Sequence, residues 1–424
     1  MVPKGWEDGR VEDLLNGLES GVSVNGEDRQ LLDGEKGVLR VSAVTYGTFD
    51  PSAVKVIERQ DELDRAKINP KKSQIIISRS NTESLVGASA YINSDYPELF
   101  LPDKLWQTIP KPDANMKWLS YVLSSEPVRY TLSNLATGTS GSMKNITKGE
   151  FLSLKIAIPP LPEQQKIAKI LSTWDKAIST TERLIDNSTQ QKKALMQQLL
   201  TGKKRLLDNE GKRFDGDWQE VSLEHHMESF INGYAFSASQ YKLDGIPIIT
   251  MGNIGLDGKF NERTHKQNFW QSDSSLDKFL VNKDDLLIAM TDVTPDKNLI
   301  GRMTIVTVDK SFYLNQRVGL IKLKPSLDKD FLRYLSNSTD WRKYSVAVSA
   351  SGVQANMSTK DIKKGKIRLP KILEQQKIAT VLTNADKEIE LLEQQLADLQ
   401  QEKKALMQVL LTGKKRVVVD GEVA

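Results

Sequence analysis

The chain has 424 residues, of which 39% are hydrophobic and 27% charged, a composition typical of a folded, soluble protein that is too long for one hydrophobic core. Its formal net charge of +4 at pH 7 is compatible with nucleic-acid binding but does not by itself indicate it. The absence of cysteine excludes disulfides, thiolate metal sites and cysteine nucleophiles, and no apolar run approaches the ~20 residues of a membrane span, so we expect a cytoplasmic protein without a signal peptide or a membrane contact.

Residues 1–158 are predicted to form a first globular domain. β-branched runs bounded by turn residues indicate strands, and apolar residues on one side of 116–124 indicate a helix. A polar, glycine-rich loop follows at 136–145. The strands are predicted at 38–44, 74–78 and 154–158.

The segment 159–205 is predicted to be a long helix with a narrow apolar seam. Apolar residues recur in alternating steps of four and three, which is the a/d pattern of a coiled coil, and Lys192 occupies one slot of that seam. Glu163 places a carboxylate in the first turn, where the helix dipole favours it, and Gly202 provides a stop signal.

The second half of the chain repeats this order. A charged linker at 206–217 leads into a second globular domain at 218–369, a second long helix at 370–416 and a short C-terminal tail at 417–424. Within the second domain the pattern predicts strands at 246–251, 285–290, 301–308 and 317–323, a helix at 330–336, and a polar loop at 348–356.

The repeat is a duplication. Residues 163–205 and 374–416 align without a gap at an offset of 211, and 25 of the 43 positions carry identical residues. The globular halves match only at framework positions, such as Trp6 with Trp218. The order of domain, helix, domain and helix predicts a circular organisation in which the two halves are related by a pseudo-two-fold axis.

We expect the two helices to pair with each other, because a helix so polar outside its seam must bury that seam on a partner. Two helices separated by a folded domain pair most easily in an antiparallel direction, and such a pair acts as a spacer. The lysines at the polar seam slots, Lys192 and Lys403, are predicted to fix the register of pairing.

No catalytic motif is found in the sequence. The three histidines, His225, His226 and His265, lack the i, i+4 spacing of a helical metal site, and no G-x-G-x-x-G sequence is present. Asp292 and Asp296 flank a Thr-Pro pair that is typical of a turn, so a two-carboxylate metal site is the less favoured interpretation. We therefore predict a binding protein without a metal or catalytic site of its own.

Recognition of double-stranded DNA is the interpretation that remains. Asn and Gln can contact adenine and Arg can contact guanine in the major groove, whereas Lys and Arg hold phosphates. Each candidate taken singly is as well explained as a solvated loop residue, and Asn145 and Asn356 as caps of the segments that follow them. The candidates are Thr45, Tyr46, Arg79, Asn81, Thr139, Ser140, Lys144, Asn145, Thr250, Asn253, Thr291, Asp292, Lys297, Ser351, Gln354 and Asn356.

The two helical regions resemble those of the DNA-specificity subunit of type I restriction-modification systems. The resemblance lies partly in the Pro-Pro-x-x-Glu-Gln-Gln-Lys-Ile-Ala start, which the first copy carries at 159–168 and the second at 370–379, with Leu373 replacing the proline at Pro162. It lies also in the Lys-Lys-Ala-Leu-Met-Gln…Leu-Leu-Thr-Gly-Lys-Lys-Arg end, at 192–205 and 403–416. It covers essentially the whole chain, including the alternation of domains and helices.

This resemblance implies two target-recognition domains of mixed α/β type joined by two long antiparallel coiled-coil helices. In that family each recognition domain reads one half of an asymmetric split site, and the helix pair fixes the unread spacer and docks two modification subunits. Those subunits carry S-adenosylmethionine and methylate adenine, and restriction subunits add ATP- and Mg²⁺-dependent translocation and cleavage. The subunit and helix-pair interface is predicted to include Glu163, Gln164, Gln165, Leu171, Trp174, Ile178, Glu374, Gln375, Gln376, Leu382, Ile389 and Leu396.

Three other functions stay open from the sequence. A stand-alone sequence-specific or architectural DNA-binding protein would act without modification subunits. A nuclease with an unrecognised site would cleave DNA by itself, and a coiled-coil scaffold would show no salt-dependent DNA binding.

Overall fold

The computed structural model describes residues 2–138, 143–263, 265–349 and 355–419. The chain divides into two compact units, which we call unit 1 (Met1–Glu182 with Gln395–Ala424) and unit 2 (Arg183–Gln394). Each unit contains a domain of strands and short helices together with parts of two long helices, so the predicted mixed α/β class is confirmed. The division falls within both long helices, whereas the sequence-based bounds treat each helical region as a separate domain; those bounds stay a prediction.

Unit 1 is built around a four-stranded antiparallel sheet. The elements of its domain are β1 (Glu7–Arg10), β2 (Leu15–Ser20), β3 (Gly37–Leu39), β4 (Val54–Val56), α1 (Gln60–Arg65), β5 (Ile75–Ser78), β6 (Ser80–Asn81), β7 (Ser89–Tyr91), β8 (Leu99–Phe100), β9 (Leu105–Pro110), α2 (Met116–Ser124), α3 (Glu126–Leu135), β10 (Lys144–Asn145), α4 (Lys148–Leu152) and β11 (Lys155–Ile158). The strand order of the main sheet is β2-β9-β5-β7, beside a three-stranded sheet β4-β3-β8 and the pairs β1-β11 and β6-β10. The first long helix, α5 (Leu161–Leu199), follows β11.

Unit 2 repeats this plan. Its domain contains β12 (Gln219–Ser222), β13 (Met227–Asn232), β14 (Ile246–Ile249), β15 (Phe269–Trp270), β16 (Leu280–Val281), β17 (Leu286–Ala289), β18 (Thr291–Asp292), β19 (Met303–Ile305), β20 (Phe312–Leu314), β21 (Val318–Leu323), α6 (Lys329–Leu335), α7 (Thr339–Val348), β22 (Ala355–Asn356), α8 (Thr359–Lys364) and β23 (Lys366–Leu369). Its sheets are β13-β21-β17-β19 and β15-β14-β20-β16, with the pairs β12-β23 and β18-β22. The second long helix, α9 (Ile372–Leu410), follows β23.

A strand buried on both faces lies inside each main sheet. In β5, Ile75 and Ile77 belong to the apolar cluster that includes Trp118 of α2, whereas Ile76 belongs to the cluster on the opposite face. In β17, Ile288 belongs to the apolar cluster of unit 2 that includes Leu382, whereas Leu287 belongs to the cluster on the opposite face. Because successive side chains of a strand point to opposite faces, a continuous apolar run is what a strand covered on both sides requires.

Three predicted strands are shorter in the structure. The strand expected at 246–251 ends at Ile249, and a 3₁₀ turn, Met251–Asn253, follows it. The strand expected at 38–44 ends at Leu39, and a short 3₁₀ turn, Val41–Ala43, follows it. The strand expected at 301–308 covers only Met303–Ile305, because Gly301 adopts a left-handed φ of 72° in the turn that precedes it. The predicted helix at 116–124 is confirmed as α2.

The two long helices run antiparallel within each unit. In unit 1, Asp175 of α5 pairs with Lys403 of α9, and Glu163, twelve residues earlier, pairs with Arg416, thirteen residues later. In unit 2, Lys192 pairs with Asp386 and Arg205 with Glu374. The residue numbers of the paired positions therefore again rise along one helix while they fall along the other. No helix in the described part of the chain is both long and apolar enough to cross a membrane.

Candidate nucleic-acid interface and helix pair

A short antiparallel ladder brings four of the predicted DNA-binding residues of unit 1 together. Strand β6 follows the buried β5 after one residue, and it pairs with β10 so that Asn81 lies opposite Lys144 and Ser80 opposite Asn145. The guanidinium of Arg79 donates from Nε to the carbonyl of Asp103 at 2.8 Å. Arg79, Asn81, Lys144 and Asn145 therefore share one surface region, although more than 60 residues separate the two loops in sequence.

Unit 2 contains the equivalent ladder. Strand β18 follows the buried β17 after one residue, and Thr291 lies opposite Asn356 while Asp292 lies opposite Ala355. The two domains therefore present equivalent frames whose side chains differ at two of the four positions, Asn81 against Asp292 and Lys144 against Ala355. The predicted residues Thr139, Ser140, Ser351 and Gln354 lie outside the residues that the structure describes.

Neither asparagine of the ladders caps the helix that follows it, so the alternative explanation of Asn145 and Asn356 is wrong. The N-cap of α4 is Thr147, whose hydroxyl accepts from the N–H of Glu150, and the N-cap of α8 is Ser358, whose hydroxyl accepts from the N–H of Asp361. Each cap lies two residues after the asparagine. The contact of Asn145 and Asn356 with bases stays a prediction.

An arginine, buried in unit 1 and partly buried in unit 2, holds the loop beside each ladder. Arg129 of α3 donates to the carbonyls of Val86 at 2.9 Å and Ser84 at 2.6 Å, and Arg342 of α7 donates to those of Ile300 and Lys297. Burial lowers the pKa of Arg129 below its usual range and that of Arg342 to about 10. Neither arginine was predicted from the sequence, because their carbonyl partners lie more than 40 residues away.

Replacing Arg129 with methionine should loosen this loop without unfolding the domain. Two charge-assisted hydrogen bonds are worth roughly 1.5–3 kcal/mol each, so amide exchange at residues 82–88 should accelerate by at least about tenfold. Arg59→Met is the matched control, because its side chain is 70% exposed. Equal exchange rates in the two variants, measured by mass spectrometry, would show that Arg129 does not hold the loop.

Tyr46 is the exposed aromatic residue next to the unit 1 loop. Its side chain is 57% exposed, and its hydroxyl donates to the carbonyl of Ser84 at 3.0 Å. The guanidinium of Arg129 lies 5.3 Å from its ring centroid. The neighbouring Thr45 donates its N–H to the carbonyl of Thr48 and so belongs to the turn that carries Tyr46.

Several predicted residues of unit 2 support loops with their side chains. Asn253 is buried, and its amide oxygen accepts from the N–H of Thr250 at 2.8 Å while its amide nitrogen donates to the carbonyl of Asn261. Lys297 donates to the hydroxyl of Ser349 at 3.2 Å. For these residues the geometry favours a supporting role, and base contact stays a prediction.

Asp292 is an acceptor for its own loop. It is buried, and its carboxylate accepts from the N–H groups of Thr294 at 2.8 Å and Leu299 at 2.5 Å. Burial would raise the pKa of Asp292, but these backbone donors outweigh it and lower the pKa below the usual value. Among the described residues, no group of three or more His, Cys, Asp or Glu side chains is arranged to hold a metal ion.

An open cleft of about 390 Å³ lies beside the unit 2 ladder. Thr291 and Asn356 line it together with Gln316 and Ser358, which were not predicted from the sequence. The signal available for Gln316 was the polar Asn-Gln-Arg run between the apolar strands β20 and β21. The cleft therefore offers several hydrogen-bonding side chains at the position where the predicted residues meet.

Bidentate ion pairs to the buried carboxylates of Glu163 and Glu374 close the ends of the helix pair. In unit 1, Arg416 contacts both carboxylate oxygens of Glu163 at 2.6 and 2.7 Å, and the indole N–H of Trp6 donates to the same carboxylate at 2.9 Å. In unit 2, Arg205 contacts Glu374 at 2.6 and 2.7 Å. Arg416 comes from the end of the chain and meets the start of the chain, so the predicted circular organisation is confirmed within unit 1.

The first glutamine of each Glu-Gln-Gln sequence joins its helix to the domain. Gln164 accepts from the N–H of Asn115 at 3.0 Å and donates to the carbonyl of Pro159 at 2.9 Å. Gln375 accepts from Asp328 and donates to Pro370, both at 2.9 Å. Asn115 and Asp328 are in turn the N-caps of α2 and α6.

The predicted interface residues fall into two groups. Buried residues pack in the helix pair or on the domain, whereas the second glutamines, Gln165 and Gln376, are exposed. Their role in binding another subunit stays a prediction. The buried members are Glu163, Gln164, Leu171, Glu374, Gln375, Leu382 and Ile389, and Trp174, Ile178 and Leu396 are partly buried.

Replacing Gln375 with alanine should destabilise unit 2 by about 2–4 kcal/mol, because it leaves a buried N–H and a buried carbonyl without partners. The adjacent Gln376→Ala variant is the control and should change the free energy of unfolding by less than about 0.5 kcal/mol. Urea denaturation with hydrogen exchange of unit 2 peptides measures both. Similar values for the two variants would contradict the assigned hydrogen bonds.

The comparisons with known proteins agree with one another. A family described as the type I restriction modification DNA specificity domain matches residues 3–187 and 215–401. The MjaVIII specificity subunit of a type I restriction enzyme from Methanocaldococcus jannaschii is 26% identical over 433 residues, covering 98% of this chain and 94% of that protein. The EcoKI specificity subunit of a type I restriction enzyme from Escherichia coli is 22% identical, and the match covers 89% of this chain and 81% of that protein.

Solved structures share the fold. The S subunit of a type I restriction-modification system from M. genitalium superposes with a TM-score of 0.58 at 14% identity, covering 97% of this chain and 96% of that one. A structure from a study of type I R-M complex assembly and conformational transition gives a TM-score of 0.57 at 16% identity, covering 98% and 100%. With the family match extending over most of both halves, the chain belongs to the type I restriction-modification DNA specificity family.

Proposed function

We propose that this chain is the DNA-specificity subunit of a type I restriction-modification complex and that each of its domains reads one half of an asymmetric, split site. The observation that carries the proposal is the pair of equivalent ladders, β6-β10 and β18-β22. Their frames correspond at the offset of 211, and two of the four equivalent positions carry unlike side chains. Asn81 corresponds to Asp292 and Lys144 to Ala355, whereas Ser80 corresponds to Thr291 and Asn145 to Asn356. Equal frames with unequal side chains are what two different half-sites require.

The chemistry of the residues on the ladders suits reading of the major groove. Asparagine can make a bidentate contact with adenine, and lysine can hold a phosphate without reading the base. We assign base reading to Asn145 and Asn356, and phosphate contact to Lys144. Asn81 supports its own loop, because its amide oxygen accepts from the N–H of Thr82 at 2.8 Å and its amide nitrogen donates to the hydroxyl of Ser78 at 3.2 Å. Asp292 and Asn253 hold the shape of their loops, because their polar atoms already bind backbone groups.

We assign the chemical steps to partner subunits. The helix pair would set the unread spacer and dock two modification subunits, and the exposed Gln165 and Gln376 at the starts of the helices are candidate contacts. The modification subunits would bind S-adenosylmethionine and take the adenine out of the stack to methylate it. Restriction subunits would contribute ATP- and Mg²⁺-dependent cleavage.

Exchanging residues 1–158 for the corresponding domain of a relative tests this assignment. The expected result is a new sequence in one half-site, with the other half-site and the spacer unchanged. Methylated adenines are mapped across the genome of cells that express the chain with its partner subunits. The reciprocal exchange of residues 218–369 is the matched control, and a change in both half-sites after a single exchange would contradict separate reading.

A further inference from the structure

Each long helix has one lysine in its apolar seam, and the structure places an aspartate of the other helix against each lysine. Lys403 Nζ lies 2.5 Å from an oxygen of Asp175 in unit 1, and Lys192 pairs with Asp386 in unit 2. The side chains of Lys192 and Asp386 are only 14% and 10% exposed. The side chains of Lys403 and Asp175 are 23% and 37% exposed. For the more buried pair of unit 2, an unpaired charge would be strongly unfavourable.

The order of charges along the helices distinguishes the two directions of pairing. Helix α5 carries Asp175 and then Lys192, and α9 carries Asp386 and then Lys403 at the same spacing, because the aspartates and the lysines are both related by the offset of 211. Antiparallel pairing satisfies both ion pairs at once. Parallel pairing of the equivalent positions would oppose aspartate to aspartate and lysine to lysine.

The apolar seam alone does not fix the register. Burial of apolar surface is non-directional, and a heptad pattern is repeated by a slip of seven residues. Such a slip would move one helix about 10 Å along the other at 1.5 Å per residue. It would also place Asp386 beside the buried Leu199 rather than Lys192.

A tyrosine of each domain orients the aspartate. The hydroxyl of Tyr334 donates to the second carboxylate oxygen of Asp386 at 2.5 Å, and that of Tyr121 donates to Asp175. The carboxylate therefore joins three elements: its own helix, the lysine of the other helix and the domain helix that carries the tyrosine. A change of register would separate Lys192 from a carboxylate that Tyr334 and Arg333, 3.8 Å away, hold in place.

We infer that the pairs Asp175–Lys403 and Asp386–Lys192 are the positioning residues that select the antiparallel register of the helices and thereby the number of unread base pairs between the half-sites. The second part of this inference rests on the proposed function. The first part concerns the helix pair alone and is measured without DNA.

The register is measured by spin labelling, which this chain favours because it contains no native cysteine. Cysteines for nitroxide labels replace Gln190 and Lys387, two exposed residues on facing parts of α5 and α9 in unit 2. The repulsive variant carries Lys192→Asp and Lys403→Asp, and the inverted variant adds Asp175→Lys and Asp386→Lys. A third variant replaces both lysines by Met and both aspartates by Asn, and it serves if the repulsive variant fails to fold.

We expect a single label distance in the unmodified chain, a distribution shifted or broadened by at least about 5 Å in the repulsive and neutral variants, and recovery in the inverted variant. In genome methylation maps, the ratio of methylated sites with the native spacer length to those with other spacer lengths should fall at least about tenfold in the repulsive and neutral variants. The inverted variant should regain the native ratio. The half-site sequences should not change.

The two parts of the inference fail in different ways. An unchanged label distance in the neutral variant, or no recovery in the inverted variant, would overturn the role of the ion pairs in the register. A register that shifts while the spacer stays fixed would overturn their role in specificity. If the unmodified chain with its partners directed no split methylation site, the proposed function would fail, and the label distances would still test the register.

Discussion

Replacing Arg205 with methionine is expected to lower the free energy of unfolding of unit 2 by about 3–5 kcal/mol, the range for breaking a buried ion pair by removing one partner. The reason is the carboxylate that remains. Glu374 is only 1% exposed at its side chain and accepts two hydrogen bonds from the guanidinium of Arg205. Denaturation by urea, followed by hydrogen exchange in unit 2 peptides, measures the change.

The converse variant, Glu374→Gln, should lower the free energy of unfolding of unit 2 by less than Arg205→Met does. It removes the charge from the most buried position, and Arg205, whose side chain is 20% exposed, can still reach water and the carbonyl of Gly216. Lys366→Met is the surface control, because the side chains of Lys366 and its partner Glu220 are 70% and 57% exposed. Their ion pair should contribute at most about 1 kcal/mol to the free energy of unfolding. A loss for Arg205→Met no larger than that of the control would show that Glu374 finds other partners.

Replacing Leu382 with alanine should destabilise unit 2 by about 2–5 kcal/mol, the range for truncating a fully buried leucine. Leu382 is 0% exposed and packs in the cluster where the two helices and the domain meet. Leu391, on the same helix, is 72% exposed, so Leu391→Ala should change the stability by less than about 0.5 kcal/mol. The same denaturation experiment compares the two variants.

The comparison of Leu382→Ala with Leu391→Ala also tests which face of α9 packs in unit 2. If Leu391→Ala proved as costly as Leu382→Ala, the face of α9 that packs in unit 2 would differ from the one described. The equivalent variant in unit 1 is Leu171→Ala, since Leu171 is also 0% exposed. We expect its effect in unit 1 peptides and not in unit 2 peptides.

Much of the long-range organisation could be predicted because the chain contains two copies of one plan. The heptad seam, the stop signals at Gly202 and Gly413 and the identical helix starts predicted two long helices. Both glycines adopt left-handed φ values of 71° and 66°, which a helix end of this kind requires. The polar loops at 136–145 and 348–356 lie partly outside the described residues, and DNA contact by their residues stays a prediction.

The candidate site was predicted less completely, and the reason is the distance between partners in sequence. Lys144 lies opposite Asn81 only because β10 returns to pair with β6. Arg129, Tyr121 and Asp386 each act through partners more than 40 residues away, and nothing local in the sequence identifies those partners. The short strands at Leu39 and Ile305 were overestimated because turn geometry, rather than β propensity, ends them.

By itself the sequence determined that this protein has two similar halves, two long helices with an apolar seam, and charges at equivalent seam positions, because periodicity and repetition are properties of the chain alone. Only the tertiary structure decided which aspartate each seam lysine meets, which of the two glutamines in each helix start is buried, and which loop residues reach the surface together. Those choices depend on burial: a polar group inside the protein must find a partner, and folding determines which partner is within reach.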